Sequence, residues 1–485
     1  MLESRLIWML LVLAATSRLA LIIFAQTDGG DSRVYEVLAE NIMRGCGLSH
    51  SDPNSNQCSL TSAGYFPGYP AFMAITWMVF GKSVQAVLLI QLVCYLIALY
   101  WLLVALWRLT ASKQVIFYTG LVFALSPLQV GWFRFILTEP LAIATSIWFL
   151  AELIFSVSAQ KLRSVHLSIA LSASIYVRPD AIFMFVGVLF VSFYFHENKK
   201  AFRDTCFVIL LTTFLVSGWL VRNVAIGHAP LSMVGEMTPK APGYFFWLNT
   251  WVVNEYERAD ANFPVWRAEY SKIDLHHSKY VSDDERKAAK LLIQELSAMD
   301  GKQFPKDIDQ KFEELASLKI QTQNHFMPYA IFIERVGWLL FNPFSSWGLP
   351  LEIKDINKPS LNDSIVSLDL NRAMSLLNGY KSTVAGKIMV FSYRAIIFIG
   401  FIIVVGYVIF GRVVTRMVFF RSAVKGLVAG VVAVTVTRLT FFVYLGGLES
   451  RYLAEVVPWV EFCVVLFFVG NDRCLKGTRQ VATIG

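Results

Sequence analysis

Long apolar runs joined by short charged connections dominate the chain, and two of the intervals between them are long and polar. The runs lie near 6–26, 84–107, 114–131, 138–158, 165–178, 180–195, 204–222, 388–411, 423–445 and 452–470. They predict about ten membrane-crossing helices, because a bilayer core roughly 30 Å thick takes about 20 apolar residues. The first run follows a short basic start and no convincing small-x-small cleavage site comes after it, so it reads as an uncleaved span and not as a signal peptide.

Charge sets the orientation. Arg5, Arg108/Lys113, Lys161/Arg163, Lys199/Lys200/Arg203, Arg412/Arg416/Arg421/Lys425 and Arg473/Lys476/Arg479 all fall on one face in the ten-span count. The positive-inside rule makes that face the cytoplasm and places both termini there. The aromatic run from Tyr329 to Pro350 would add an eleventh span, but it would also send Arg412 to Lys425 outward. It is therefore expected to form one or two interfacial helices, broken at Phe341-Asn342-Pro343-Phe344 and anchored by Trp338 and Trp347.

This topology divides the chain into a membrane module over 1–222 with a first outer loop at 27–83, an outer insert over 223–386, and closing membrane helices over 387–485. In the first loop, Val34, Leu38 and Ile42 repeat at helical spacing, and the stretch Pro67–Phe80 forms a second apolar helix, both at the membrane surface. In the insert, Ser282-Asp283-Asp284-Glu285 is an N-terminal cap leading into Leu291, Leu292 and Leu296, and 305–320 reads as another amphipathic helix. No internal repeat is evident, so a repeat-built transporter gains no support.

Composition agrees: 56% of residues are hydrophobic and 16% charged, far from a soluble domain. The net charge of +8 is scattered beside apolar runs, which argues against a nucleic-acid partner. Cys94, Cys206 and Cys463 lie in apolar runs, whereas Cys46 and Cys58 share an outward loop. There they are either free thiols or a disulfide, which would contribute about 3 kcal/mol on the chain-entropy model. The neighbouring His276 and His277 lack a third ligand at suitable spacing and read as a solvated pair, and no metal site or other cofactor is predicted.

The topology sends several chemical groups to the outer face: Asp28 and Asp31, Glu139, Arg178-Pro179-Asp180, Arg222-Asn223 and Glu449-Ser450-Arg451-Tyr452. Acids and arginines at one membrane face suit group transfer from an anionic lipid carrier, with a base for the incoming hydroxyl and cations for the leaving phosphate; helix-end loops carry such residues anyway. Arg394 and Arg438 lie inside apolar runs on the order of 10 Å deep. A charge there lines a wet cavity, snorkels, or pairs to fix helix packing.

In order, Asp31-Ser32-x-x-Tyr35, Ala39-Glu40-Asn41, Gly45-x-Gly47-Leu48, Pro67-Gly68-Tyr69-Pro70, Thr138-Glu139-Pro140, Tyr176-x-Arg178-Pro179, Trp219-x-x-Arg222-Asn223 and Arg451-Tyr452 resemble the GT-C glycosyltransferases. The nearest likeness is to bacterial relatives of protein mannosyltransferases and of the lipid A aminoarabinose transferase. The resemblance implies an all-α polytopic GT-C-like bundle in the cell (inner) membrane. It also implies transfer of a sugar, with inversion, from a polyprenyl-phosphate donor to a lipid, glycan or protein acceptor outside the cytoplasm.

By that resemblance Asp31 is the catalytic base and Asp28 the fallback. Many members carry a second acid directly after this carboxylate, and here it is Ser32. Arg178, Arg222, Arg394, Arg438 and Arg451 form the pool of phosphate ligands, with Arg451 and Arg222 favoured. Glu139 orients a sugar hydroxyl or an arginine, or else favours its helix N-terminus. Tyr35 and Tyr452 contact sugar or serve as interfacial anchors. The competing function is transport or flipping of a lipid-linked or anionic solute.

Overall fold

The computed structural model describes residues 2–54, 58, 65–195, 198–227, 241–275, 278–342, 345–351, 381–410 and 422–470. His276–His277, Pro343–Phe344, and most of the basic connections after 410 and after 470 lie outside them. The described residues are helical and include no β-strand. Six helices are long and apolar enough to cross a membrane: α1 (Leu2–Phe24), α4 (Val84–Thr110), α7 (Thr138–Ala159), α10 (Asn198–Ala225), α16 (Lys381–Phe410) and α17 (Ser422–Tyr444). The chain is an integral membrane protein.

The other four expected spans take shorter forms. The span expected at 114–131 is α5 (Lys113–Leu125), then α6 (Pro127–Val130) and a 3₁₀ turn (Gly131–Arg134), with a bend of 43° between the two halves. Those expected at 165–178 and 180–195 are α8 (Ser164–Val177), a 3₁₀ turn (Pro179–Met184) and α9 (Phe185–Phe195). The last begins with a 3₁₀ turn at Ser450–Leu453 and becomes α18 only from Val457 to Val469. Proline explains each break: Pro127, Pro179 and Pro458 each stand at the first or second position of the new helix, where the missing N–H costs nothing.

The α5–α6 break is held from four neighbouring helices. The carbonyls of Phe123 and Ala124 accept from Arg18 of α1, and Tyr95 of α4 also donates to Phe123. On the other side, Glu461 of α18 accepts from Ser126, Gln129 and Tyr393 of α16. The carbonyls of Phe123 and Ala124, left open by the break, thus find partners inside the bundle, as a low-dielectric interior demands.

The first-loop helices form as expected, α2 (Ser32–Met43) and α3 (Gly68–Phe80), with Cys46 and Cys58 joined in a disulfide between them. In the insert lie α11 (Pro242–Leu248), α12 (Glu255–Trp266), α13 (Asp283–Ser297), α14 (Lys306–Thr322) and α15 (Met327–Phe341). Ser282 Oγ accepts from Glu285 N at 3.2 Å, the cap read from the sequence. Of the expected stripe, Leu296 is buried and Leu291 exposed. Tyr244, Trp247, Trp251, Tyr270 and Phe312 give the insert its own aromatic core.

Helix α15 packs against α16 and α17. Trp347, expected as an interfacial anchor, is instead buried: its carbonyl abuts Gly131 so closely that a Cβ there would clash. Burial of both neighbours outweighs the interfacial preference of the indole, because this contact seats the end of the insert on the broken helix.

Candidate functional site

The first loop is fixed to the segment that follows the broken helix. Thr27 N donates to Arg134 O at 3.3 Å, and Arg134 donates to Ala25 O at 3.2 Å and Gly348 O at 2.6 Å. Ser32, buried, accepts from Gly29 N at 2.8 Å and donates to Ile136 O at 2.9 Å. A carboxylate at position 32 would face that carbonyl with no proton to give. The serine therefore locks the turn that presents Asp31.

Asp31 stands at the N-terminus of α2 but its side chain caps no backbone amide. Its carboxylate accepts instead from Arg451 Nη1 at 2.6 Å, bringing together residues 420 apart in sequence. Arg451 Nε also lies 2.6 Å from Glu449. Burial opposes the charge of Arg451, but Glu449, Tyr452, Glu139 and Asp31 more than offset it and hold the guanidinium charged well above its ordinary range. Asp28, three residues before Asp31, is exposed.

Behind this open pair is a closed network of five charges. Arg178, at the end of α8, reaches Glu139 of α7 at 3.3 Å, Asp180 at 3.4 Å and Glu455 at 3.1 Å. Arg438 of α17 reaches Glu455 at 2.6 Å and Asp180. The alternation of acid and base is what makes this burial tolerable, since a single charge left unpaired there costs several kcal/mol, about 3–5 by analogy with other buried pairs. Tyr452 links the two tiers: its ring centroid lies 5.7 Å from the Arg178 guanidinium and 5.6 Å from that of Arg451, and it stacks on Phe442 at 4.9 Å.

Tyr35, one turn after Asp31, is buried edge-on against Tyr65 at 5.6 Å and Tyr69 at 4.9 Å. Burial, reinforced by Glu139 and Asp31, raises its phenol far above the ordinary value, so it stays protonated. It is a wall of the site and not an exposed anchor.

Two expected arginines belong to neither the Asp31–Arg451 pair nor the five-charge network, and the charge of Glu255 acts on Arg394. Arg394 of α16 is buried, donates to Asn342 O at 2.5 Å and lies beside Trp347; its Nε and Nη1 have no hydrogen-bond partner among the described residues. Arg222 packs over Trp219 at 4.5 Å and donates to Asn223 at 2.9 Å. Trp219 in turn meets Phe66 of the first loop at 5.6 Å.

The sequence reading omitted Glu455, and it placed Asp180 and Glu449 in motifs without assigning them a role. For Glu455 a signal existed: it is an acid inside an apolar run, like Arg438 in its own run, and two such charges call for each other. Among the described residues no group of three or more His, Cys, Asp or Glu side chains is placed to hold a metal ion.

No family model matches the chain, and no characterised protein matches it by sequence. Among solved structures it is similar to ArnT from Cupriavidus metallidurans, in the apo state and bound to undecaprenyl phosphate, at 14% identity and a TM-score of 0.38, over 95% of this chain and 77% of ArnT. It is also similar to the archaeal oligosaccharyltransferase AglB from Archaeoglobus fulgidus, in complex with an inhibitory peptide and a dolichol-phosphate, at 10% identity and a TM-score of 0.44. That match covers all of this chain and 52% of AglB.

Proposed function

We propose that this protein is a membrane glycosyltransferase that moves a sugar from a polyprenyl-phosphate donor to an acceptor hydroxyl outside the cytoplasm, with inversion. The observation that carries the reading is the Asp31–Arg451 pair, an acid and a guanidinium 2.6 Å apart and each about one-third exposed, set against a buried network that fixes both neighbours. Base and phosphate ligand are the two groups a single displacement needs; inversion puts them on opposite faces of the sugar, so the donor must part this pair as it binds.

In that step Asp31 takes the proton of the acceptor hydroxyl as its oxygen bonds to the anomeric carbon. The bond from that carbon to the phosphate oxygen breaks, and the electron pair leaves with the phosphate toward Arg451. Arg451 is the cation a phosphate can reach, its side chain 29% exposed against 11% for Arg178 and 1% for Arg438. We therefore assign Arg178, Arg438 and the equally buried Arg394 to holding the structure around the site, and Arg222 to further contact with the donor. The Cys46–Cys58 disulfide beside α2 supports an oxidising, extracytoplasmic location for the first loop, with both termini cytoplasmic.

A transporter reading gains one broken span, but the groups pinning the α5–α6 break leave it little freedom to move. The test is transfer by the purified protein in detergent from polyprenyl-phosphate sugars to candidate acceptors. Asp31→Asn is expected to abolish it. Robust transfer by that variant would overturn the assigned base, and absence of transfer with every donor would favour transport.

A further inference from the structure

The turn that carries Arg451 takes its shape from the outer insert. Between the end of α17 at Tyr444 and the 3₁₀ turn at Ser450 run Leu445, Gly446, Gly447, Leu448 and Glu449. The last turn of α17 closes its start, Gly446 N bonding Val443 O at 3.2 Å and Gly447 N bonding Phe442 O at 2.7 Å; beyond that, two consecutive glycines give little stiffness, and the path to Ser450 follows what the segment touches. Arg258 of α12 donates from Nη1 to Leu445 O at 3.0 Å and to Gly446 O. Leu448 is buried in the insert's aromatic core. Ser345 Oγ lies 2.5 Å from Ser450 Oγ.

Three helices further along the chain, Arg335 of α15 fastens the same corner. It donates to Val443 O at 3.1 Å, and to Asn249 O at 2.8 Å and Val252 O at 2.7 Å within the insert. Gly446 has a φ of +67°, and a Cβ on it would run into the Arg258 guanidinium and Asn249 Oδ1. The glycine is thus required both for its backbone conformation and for the closeness of the arginine.

We infer that Arg258 is a positioning residue that clamps the Leu445–Glu449 turn from the insert and so sets where Arg451 meets Asp31. The inference deepens the glycosyl-transfer reading and, for its catalytic consequence, rests on it. Arg258 hydrogen-bonds to carbonyls of the turn, and its charge also acts on Glu449 and Tyr452; the positioning effect passes through the backbone to the next side chains along, while Arg258→Lys keeps the charge. A shift of about 1 Å in a catalytic group is enough to cost about 10²-fold in rate.

The experiment compares backbone hydrogen exchange and turnover of the full-length protein in nanodiscs for wild type, Arg258→Ala, Arg258→Lys and Gly446→Ala. Tyr452 N and Ala454 N, bonded to Glu449 O and Arg451 O at 3.1 Å each, report on the turn. Arg258→Ala and Gly446→Ala, which break one contact from its two sides, should both speed exchange over 446–454 and leave α13 and α14 unchanged. In both, kcat should fall by up to about 10²-fold with donor KM held, and Arg258→Lys should recover part of each effect.

Unchanged exchange over 446–454 in both variants overturns the clamp. A raised KM with kcat intact overturns the positioning role, because it reports lost binding. Should Arg258→Ala loosen the whole insert, Arg258→Lys decides: recovered protection over 446–454 with α13 and α14 unchanged supports the clamp, and exchange that stays fast there overturns it. If the wild type transfers from no donor, the glycosyl-transfer reading falls, and exchange alone still decides whether Arg258 holds the turn.

Discussion

Two buried polar assemblies lie in the helical bundle and satisfy their charges in opposite ways. In the outer one, Arg178 and Arg438 are enclosed by Glu139, Asp180 and Glu455, charge against charge, and the assembly opens onto the Asp31–Arg451–Glu449 group. In the inner one, Arg18 and Glu461 feel each other's charge but make their hydrogen bonds with neutral groups. Arg18 reaches the carbonyls of Ala14, Phe123 and Ala124 and the face of Tyr95 at 3.9 Å, while Glu461 accepts from Ser126, Gln129 and Tyr393. A charge spent on backbone carbonyls holds a helix break; a chain of ion pairs ending at an open acid and guanidinium leaves a balance that a charged ligand can alter.

The largest effect separates the open end from both interiors. Asp31→Asn and Arg451→Ala are each expected to lower transfer by about 10²–10⁴-fold while leaving the thermal midpoint in detergent where it was. A normal rate in either variant breaks the comparison at its functional end. Next comes Arg438→Met, which leaves Arg178 alone against Glu139, Asp180 and Glu455 and should cost about 3–5 kcal/mol in denaturant titration. Adding Asp180→Asn and Glu455→Gln to it should restore most of that loss, since a neutral assembly carries no unpaired charge. Failure of the triple variant to recover would mean that packing, and not charge balance, holds the outer network.

The inner assembly should respond more weakly. Glu461→Gln turns one acceptor oxygen into a donor facing other donors, at about 1–3 kcal/mol. Its effect on turnover should follow stability alone, which a rate measured well below the melting range checks. Tyr393→Phe removes one hydrogen bond and should cost about 0.5–1.5 kcal/mol. The smallest expected effect is none: transfer in the presence of a chelator should equal transfer without it, because Asp31 is engaged by Arg451 and Ser32 supplies no second carboxylate beside it.

Much of the fold was legible because a bilayer imposes length and polarity on each run. The six long spans, the two first-loop helices and the Ser282 cap all follow from local pattern. The α5–α6 break was not read, although Pro127 marks it, because a continuous apolar run hides the bend. Trp347 was misread as an anchor because burial against Gly131 depends on a partner more than 200 residues away. In the site, the sequence named Asp31, Glu139, Arg178 and Arg451 at the outer face and Arg438 within the membrane, and offered pairing only as an alternative, Glu139 with an unspecified arginine and Arg438 with an unnamed partner. It left out Glu455, which bridges both buried arginines.

By itself, then, the sequence determined the solvent of each segment and the face to which its charges go, since hydrophobic length and loop charge act locally and need no partner. Only the tertiary structure decided which charges neutralise one another, which guanidinium remains open beside Asp31, and that Ser32 locks a turn. The reason is range: an ion pair acts over a few ångströms, and the residues that make these pairs are brought that close only after helices far apart in sequence have packed.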